Sequence, residues 1–193
     1  MSASPENDMA PQTLRVVSGA DAAPDPLKPK RKHVISVMVE NRPGVLARVS
    51  GLFARRGYNI NSLAVSATEK PDVSRMTVTT TGDESELAQI VKQLNKLIDV
   101  IQVFDHTNDA LVAREIALYK IRANVNTRME ILQLATVFGG QIITMTPSDE
   151  TLIVEITGDE DKIDAFQETL VKYEVLEMVR TGTIALVRGA RVT

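Results

Sequence analysis

Asn41, Pro43 and Gly44, in the run Glu40-Asn41-Arg42-Pro43-Gly44-Val45-Leu46, are the residues of this 193-residue chain whose types and spacing best suit small-molecule chemistry. Strand-like alternation precedes them and helical spacing follows, so they sit where a strand becomes a helix. A helix start exposes unpaired N–H groups and the positive end of the helix dipole, and both attract a carboxylate. Gly44 leaves room for an anion to approach, and Asn41 offers both a donor and an acceptor. A free α-amino acid needs that mixture. The same residues also suit a purely structural start, with Asn41 capping the helix while Pro43 and Gly44 shape the turn.

Other chemistries lack their parts. There is no cysteine, which excludes disulfides, thiolate nucleophiles and cysteine-based zinc sites. His33 and His106 are the two histidines, too few for a histidine-rich metal site. No glycine-rich phosphate loop or catalytic triad order is present, although scattered Asp, Glu and Lys leave acid–base chemistry open. With 25 acidic against 22 basic residues the net charge is −3, which favours neither nucleic acid nor a membrane surface. No apolar run reaches the roughly 18 residues of a membrane span, and no secretory h-region is present. A cytoplasmic protein is expected, with small molecules or proteins as partners.

The elements that must position the Asn41 motif follow from the hydrophobic periods. Residues 1–32 hold Pro5, Pro11, Pro24, Pro26 and Pro29 without a sustained period, and are expected to be a mobile tail. Such a tail cannot supply a helix-turn-helix, which argues against an effector-sensing transcription factor. Lys28 and residues 30–32 form a basic cluster without aromatics, suited to a solvated linker. Val34 to Glu40 reads as a strand. Val45, Leu46, Val49, Leu52 and Phe53 stripe a helix with Pro43 in its first turn and Gly57 at its stop. Tyr58 to Thr68 and Val73 to Thr81 make a hairpin, Asp83 with Glu86 opens a second helix, and Val100 to His106 is a fourth strand.

The order βαββαβ predicts an antiparallel four-stranded sheet, strand order 4-1-3-2, with both helices on one face. His33 and His106 then meet at one end of the sheet, as a structural pair or, with a third ligand, a metal site. The second half repeats the pattern. Glu115 to Ala123 is a strand, and Thr127 with Glu130 is a capping box for a helix ending at Gly139-Gly140. Gln141 to Met145 and Thr151 to Thr157 form a hairpin, a helix starts at Asp159, and Val175 to Val187 is the last strand. Thr81-Gly82-Asp83-Glu84 echoes Thr157-Gly158-Asp159-Glu160. The fold class is therefore α+β, two ferredoxin-like βαββαβ modules over residues 33–108 and 109–193. Two modules this small are expected to share buried surface or dimerise.

Asn41 to Leu46, followed by Arg55-Arg56-Gly57-Tyr58-Asn59-Ile60, resembles the ACT domain, a module that binds amino-acid effectors between paired copies. With Gly51-Leu52-Phe53, Ser74-Arg75-Met76-Thr77, Arg114-Glu115, Arg180-Thr181-Gly182 and Arg188-Gly189 added, the chain from about Lys32 onward resembles the small subunit of acetohydroxyacid (acetolactate) synthase. That resemblance implies a regulatory subunit without its own active site, working in branched-chain amino-acid biosynthesis. It would stimulate a catalytic subunit carrying thiamine diphosphate, magnesium and FAD, and confer feedback inhibition by valine or a relative. Asn41, Pro43, Gly44, Val45 and Leu46 would meet the effector from one chain, and Asn59 and Ile60 from a partner copy. An ACT regulator of a different enzyme is the alternative. In the second module Asn124-Val125-Asn126-Thr127 lacks the proline and glycine, so the site is not carried across. Arg75 and Arg114 are expected to be ion-paired or to face a partner.

Overall fold

The computed structural model describes residues 30–193. The tail expected over residues 1–32 lies outside the described residues as far as residue 29, whereas Arg31 and Lys32 already belong to the first strand. Arg31 pairs with Glu84 and Lys32 with Glu160, so this part of the basic cluster, although solvent-exposed, is also paired with acids.

The first sheet is built by β1 (Arg31–Glu40), α1 (Val45–Arg56), β2 (Ser62–Ala67), β3 (Val73–Gly82), α2 (Glu84–Leu94) and β4 (Val100–Asp105). Its strand order β2-β3-β1-β4 is the expected one, antiparallel throughout. Ile35, Val37 and Val39 are fully buried with Val49, Phe53, Ile90 and Leu94 of the two helices. Each such side chain contributes roughly 1.5–3 kcal/mol by leaving water. That core fixes where β1 ends and α1 begins.

The second sheet comprises β5 (Leu111–Arg122), α3 (Arg128–Val137), β6 (Gln141–Thr146), β7 (Thr151–Gly158), α4 (Glu160–Thr169), β8 (Val175–Arg180) and β9 (Ile184–Val187). Its order is β6-β7-β5-β8, with Tyr119, Ile121, Val154 and Phe166 at its centre. The single last strand expected over Val175 to Val187 is two strands. β8 pairs with residues 117–121 of β5, then the chain leaves the sheet and β9 pairs with Leu111–Arg114. The break has a cause in packing: Gly182 lies against the β2 backbone, where an added Cβ would sit 2.5 Å from the Leu63 carbonyl oxygen. Thr183 N–H donates to Ser62 Oγ at 3.0 Å in the same place. The β5–β9 arm and residues up to Thr193 thereby lie over the face of the first sheet that the helices leave open.

Helix starts differ from the expectation at α3 and, at the site described below, at α1. Asp83 and Glu86 form the expected capping box, and Asp159 accepts from Lys162 N–H. Thr127 and Glu130 do not form one. Asn124 Oδ1 takes the N–H groups of Asn126 and Thr127 instead, and Glu130 turns away to accept from the Tyr173 hydroxyl at 2.7 Å. An asparagine three residues upstream of Thr127 takes the Thr127 N–H, the donor that the Glu130 side chain would have served.

His33 and His106 do lie at one end of the first sheet, both buried. His33 meets Thr107 Oγ1 (2.9 Å) and the Gly82 carbonyl (3.0 Å), while His106 meets Asp109 Oδ2 (2.9 Å) and Ser36 Oγ (3.0 Å). All four ring nitrogens are engaged by protein, so the pair is structural. Among the described residues no group of three or more His, Cys, Asp or Glu could hold a metal ion, and no helix is long and apolar enough to cross a membrane.

Candidate functional site

At the β1–α1 junction the backbone turns on Gly44, whose φ of 85° and ψ of −10° lie in the left-handed region that favours glycine. Gly44 is the N-cap, so Pro43 stands just ahead of the helix rather than in its first turn. No side chain caps α1. The first intrahelical bond runs from Arg48 N–H to Gly44 O at 3.1 Å, so the first-turn amides of Leu46 and Ala47 face outward without an intrahelical acceptor.

Asn41 is not the cap it could have been. Its N–H donates to Asp72 O and its Nδ2 donates to Pro71 O, each at 2.8 Å, which stitches it to the β2–β3 turn. Its Oδ1 keeps a free acceptor, with no protein donor among the described residues. Val45 is buried, whereas Leu46 is 44% exposed beside the helix end. The β1–α1 junction therefore offers outward amides, an amide oxygen and an apolar side chain within residues 41–47, the groups that a carboxylate, an ammonium and an aliphatic side chain would each require.

Asn59 and Ile60 are not part of that spot within one chain. They follow α1, so the helix length, about 18 Å for 12 residues, separates them from Asn41 and Gly44. Asn59 is exposed and its carbonyl accepts from Thr80 Oγ1, while Ile60 packs on the edge of the core.

Two residues of the site escaped the sequence reading. Arg48 sits one turn into α1, and its Nη1 would be 3.6 Å from a Cβ placed on Gly44. It is held there by Asp99, which precedes β4. The i, i+4 step from Gly44 to Arg48 was visible, but nothing in the local pattern announces Asp99, more than fifty residues away.

Residues 35–102 match the family described as AHAS small subunit-like ACT domain, and residues 114–189 match the small subunit of acetolactate synthase. The probable acetolactate synthase small subunit of Archaeoglobus fulgidus is 48% identical over 158 residues, covering 82% of this chain and 98% of that one. The acetolactate synthase small subunit of Mycolicibacterium smegmatis is 46% identical over 159 residues, covering 82% and 92%. The crystal structure of the acetolactate synthase small subunit from Thermotoga maritima superposes with a TM-score of 0.76 at 40% identity, covering 83% and 99%. This chain belongs to the acetolactate synthase small subunit family.

All seven residues singled out at the two ends of α1 fall within the stretch matched to the small-subunit ACT domain. The second half of this small subunit starts its corresponding helix differently: Asn124 Oδ1 already occupies the outward amides ahead of α3. For Arg75 and Arg114 of the small subunit, expected to be ion-paired or to face a partner, the single chain bears on the first alternative alone. Among the described residues neither pairs with an acidic side chain; Arg75 donates to the oxygens of Thr193, and Arg114 donates to its neighbour's Ala113 carbonyl at 2.7 Å. The acid beside Arg114, Glu115, is claimed by Arg180 at 2.5 Å and by Thr183 Oγ1 at 2.5 Å.

Proposed function

We propose that this chain is a regulatory subunit that activates an acetolactate synthase catalytic subunit and makes it subject to feedback inhibition by valine or another branched-chain amino acid. The observation that carries the reading is the uncapped start of α1 at Gly44, with Asn41 Oδ1 and Leu46 beside it. The effector's carboxylate takes the outward amides, its ammonium takes the Asn41 oxygen, and its branched side chain packs on Leu46. Burial of a valine-sized side chain contributes roughly 1.5–3 kcal/mol and each charge-assisted hydrogen bond about as much, before association costs.

Asn59 and Ile60 complete the site from a second copy, so the protein works as a homodimer or larger assembly. Because the site then spans two chains, effector binding favours one geometry of the pair, and the catalytic subunit responds through contacts that differ between geometries. Acetolactate formation, with its thiamine diphosphate, magnesium and FAD, belongs to that catalytic partner. Family membership supports this division of labour, since the relatives carry the name of a small subunit.

The test is reconstitution. The catalytic subunit gains activity from this chain and loses it as valine is added, and the chain alone forms no acetolactate from pyruvate. Full activity of the partner regardless of this chain, or turnover by this chain alone, overturns the reading.

A further inference from the structure

Between the open face of the first sheet and the β5–β9 arm lies a cleft of about 340 Å³ that the effector site does not use. Four of the chain's exposed large apolar side chains, Val65, Val112, Ile184 and Leu186, gather around it. Arg75 enters its wall from β3 and Arg114 from β5. Among the described residues no carboxylate lines the cleft.

Neither cation is paired with an acidic side chain among the described residues. The Arg75 Nε is buried and finds no partner among the described residues, and only one of its terminal nitrogens is used, on the oxygens of Thr193. Burial pulls its guanidinium below the ordinary arginine value, and the Glu69 carboxylate opposes that shift without cancelling it. Arg114 spends one nitrogen on the adjacent Ala113 carbonyl and keeps the rest of its fork.

We propose that this cleft binds a small carboxylic acid with a branched apolar body and no amino group, of the 2-oxo or 2-hydroxy acid class. The Arg75 and Arg114 guanidiniums take the carboxylate, Val65, Val112 and Leu186 enclose the apolar body, and the absence of an acidic side chain leaves an ammonium group unpaired. The cleft thus selects against the α-amino acids assigned to the helix-end site. A bound acid bridges the first sheet to the β5–β9 arm, so occupancy fixes the arm against that sheet.

Calorimetric titration of the full chain with 3-methyl-2-oxobutanoate, beside a titration with L-valine, tests the assignment. The oxo acid binds the unmodified chain, and Arg114→Gln, which changes an exposed side chain, weakens it about tenfold or more. Arg75→Gln does the same, and Ala64→Leu, which fills the cleft without touching either charge, removes binding. Valine titrations remain as they were in all three variants. An oxo acid that gives no binding, binds unchanged in Arg114→Gln and Ala64→Leu, or is lost in Gly44→Asp overturns the proposal. Valine failing to bind while these oxo-acid results hold would remove the helix-end reading alone.

Discussion

Arg48 holds Asp99 through two parallel hydrogen bonds, Nε to Oδ2 at 2.6 Å and Nη2 to Oδ1 at 2.8 Å. The Asp99 carbonyl also accepts from Glu40 N–H at 2.9 Å. One largely buried residue therefore ties the end of β1, the first turn of α1 and the start of β4 together. Its place explains why the Gly44 turn keeps its shape although no side chain caps the helix.

Asp99→Ala removes both bonds to a half-exposed arginine that can rehydrate. Stability falls by about 1–2 kcal/mol, the range for charge-assisted bonds discounted for solvent. Urea denaturation measures this. Valine affinity falls as well, because Arg48 and Gly44 lose their fixed relation. An unchanged affinity in a folded Asp99→Ala protein would mean that the Arg48 clamp does not shape the effector site.

Gly44 carries a positive φ with ordinary space beside it, so an added methyl is opposed by backbone conformation and not by collision. Gly44→Ala costs about 1–2 kcal/mol for that reason. Gly44→Asp adds a negative charge where the effector's carboxylate belongs, and abolishes inhibition in the reconstituted enzyme while most activation persists. Asn41→Ala does the same with a smaller stability loss, since it removes one exposed bond to Pro71. Inhibition curves that match the unmodified protein would dispose of the site.

The shared nature of the site has its own test. On the proposed geometry, in which each effector site takes Asn41 from one chain and Asn59 from the other, Asn41→Ala and Asn59→Ala homodimers each lack every site. A mixed dimer of the two variants holds one intact site and one doubly damaged site. Free exchange makes about half of the dimers mixed, so mixing restores about a quarter of the valine-binding stoichiometry in calorimetry, whereas two sites formed within single chains would restore none.

Much of this architecture was legible in the apolar periods. Ile35, Val37 and Val39 alternate, the α1 stripe recurs at three and four residues, and Asp83 with Glu86 signals its capping box; each was found as expected. What stayed hidden depends on contacts distant in sequence. Asn41 looks like a cap until the β2–β3 turn claims its side chain. Thr127 and Glu130 look like a box until Asn124 and Tyr173 compete for the same groups. Val175 to Val187 reads as one strand because local propensity cannot see that Gly182 must pass against Leu63.

That passage makes Gly182 a point of close backbone contact between the two halves of the chain. A Cβ there would meet the Leu63 carbonyl oxygen at 2.5 Å and its carbon at 2.6 Å, both backbone atoms with no rotamer to yield. Gly182→Ala pushes residues 182–193 off β2, at about 1–3 kcal/mol by the usual scale of overpacking. Limited proteolysis then cuts after Arg188 or Arg191 faster than in the unmodified protein. Equal cutting rates would show that the segment tolerates the methyl.

Tyr119 offers a case in which removing an atom strengthens the fold. It is 1% exposed at the centre of the second sheet, packed edge-on against Phe166 with ring centroids 5.2 Å apart. Its hydroxyl is buried without a hydrogen-bond partner among the described residues, and such a group costs about 1–3 kcal/mol. Tyr119→Phe keeps the ring contact and deletes the stranded hydroxyl, so stability at neutral pH rises by about 1 kcal/mol. Burial also raises the phenol above its ordinary value of 10.0. The native state therefore holds that proton more tightly than the unfolded chain does. The resulting stability is complete below the unfolded value and drains away as pH climbs through the folded one. Phenylalanine does not titrate, so the gap between variant and unmodified protein widens above about pH 10. Urea denaturation at pH 7 and in alkaline buffer reads both effects. A variant less stable at pH 7, or a gap that stays constant into alkali, would mean that the hydroxyl is satisfied after all.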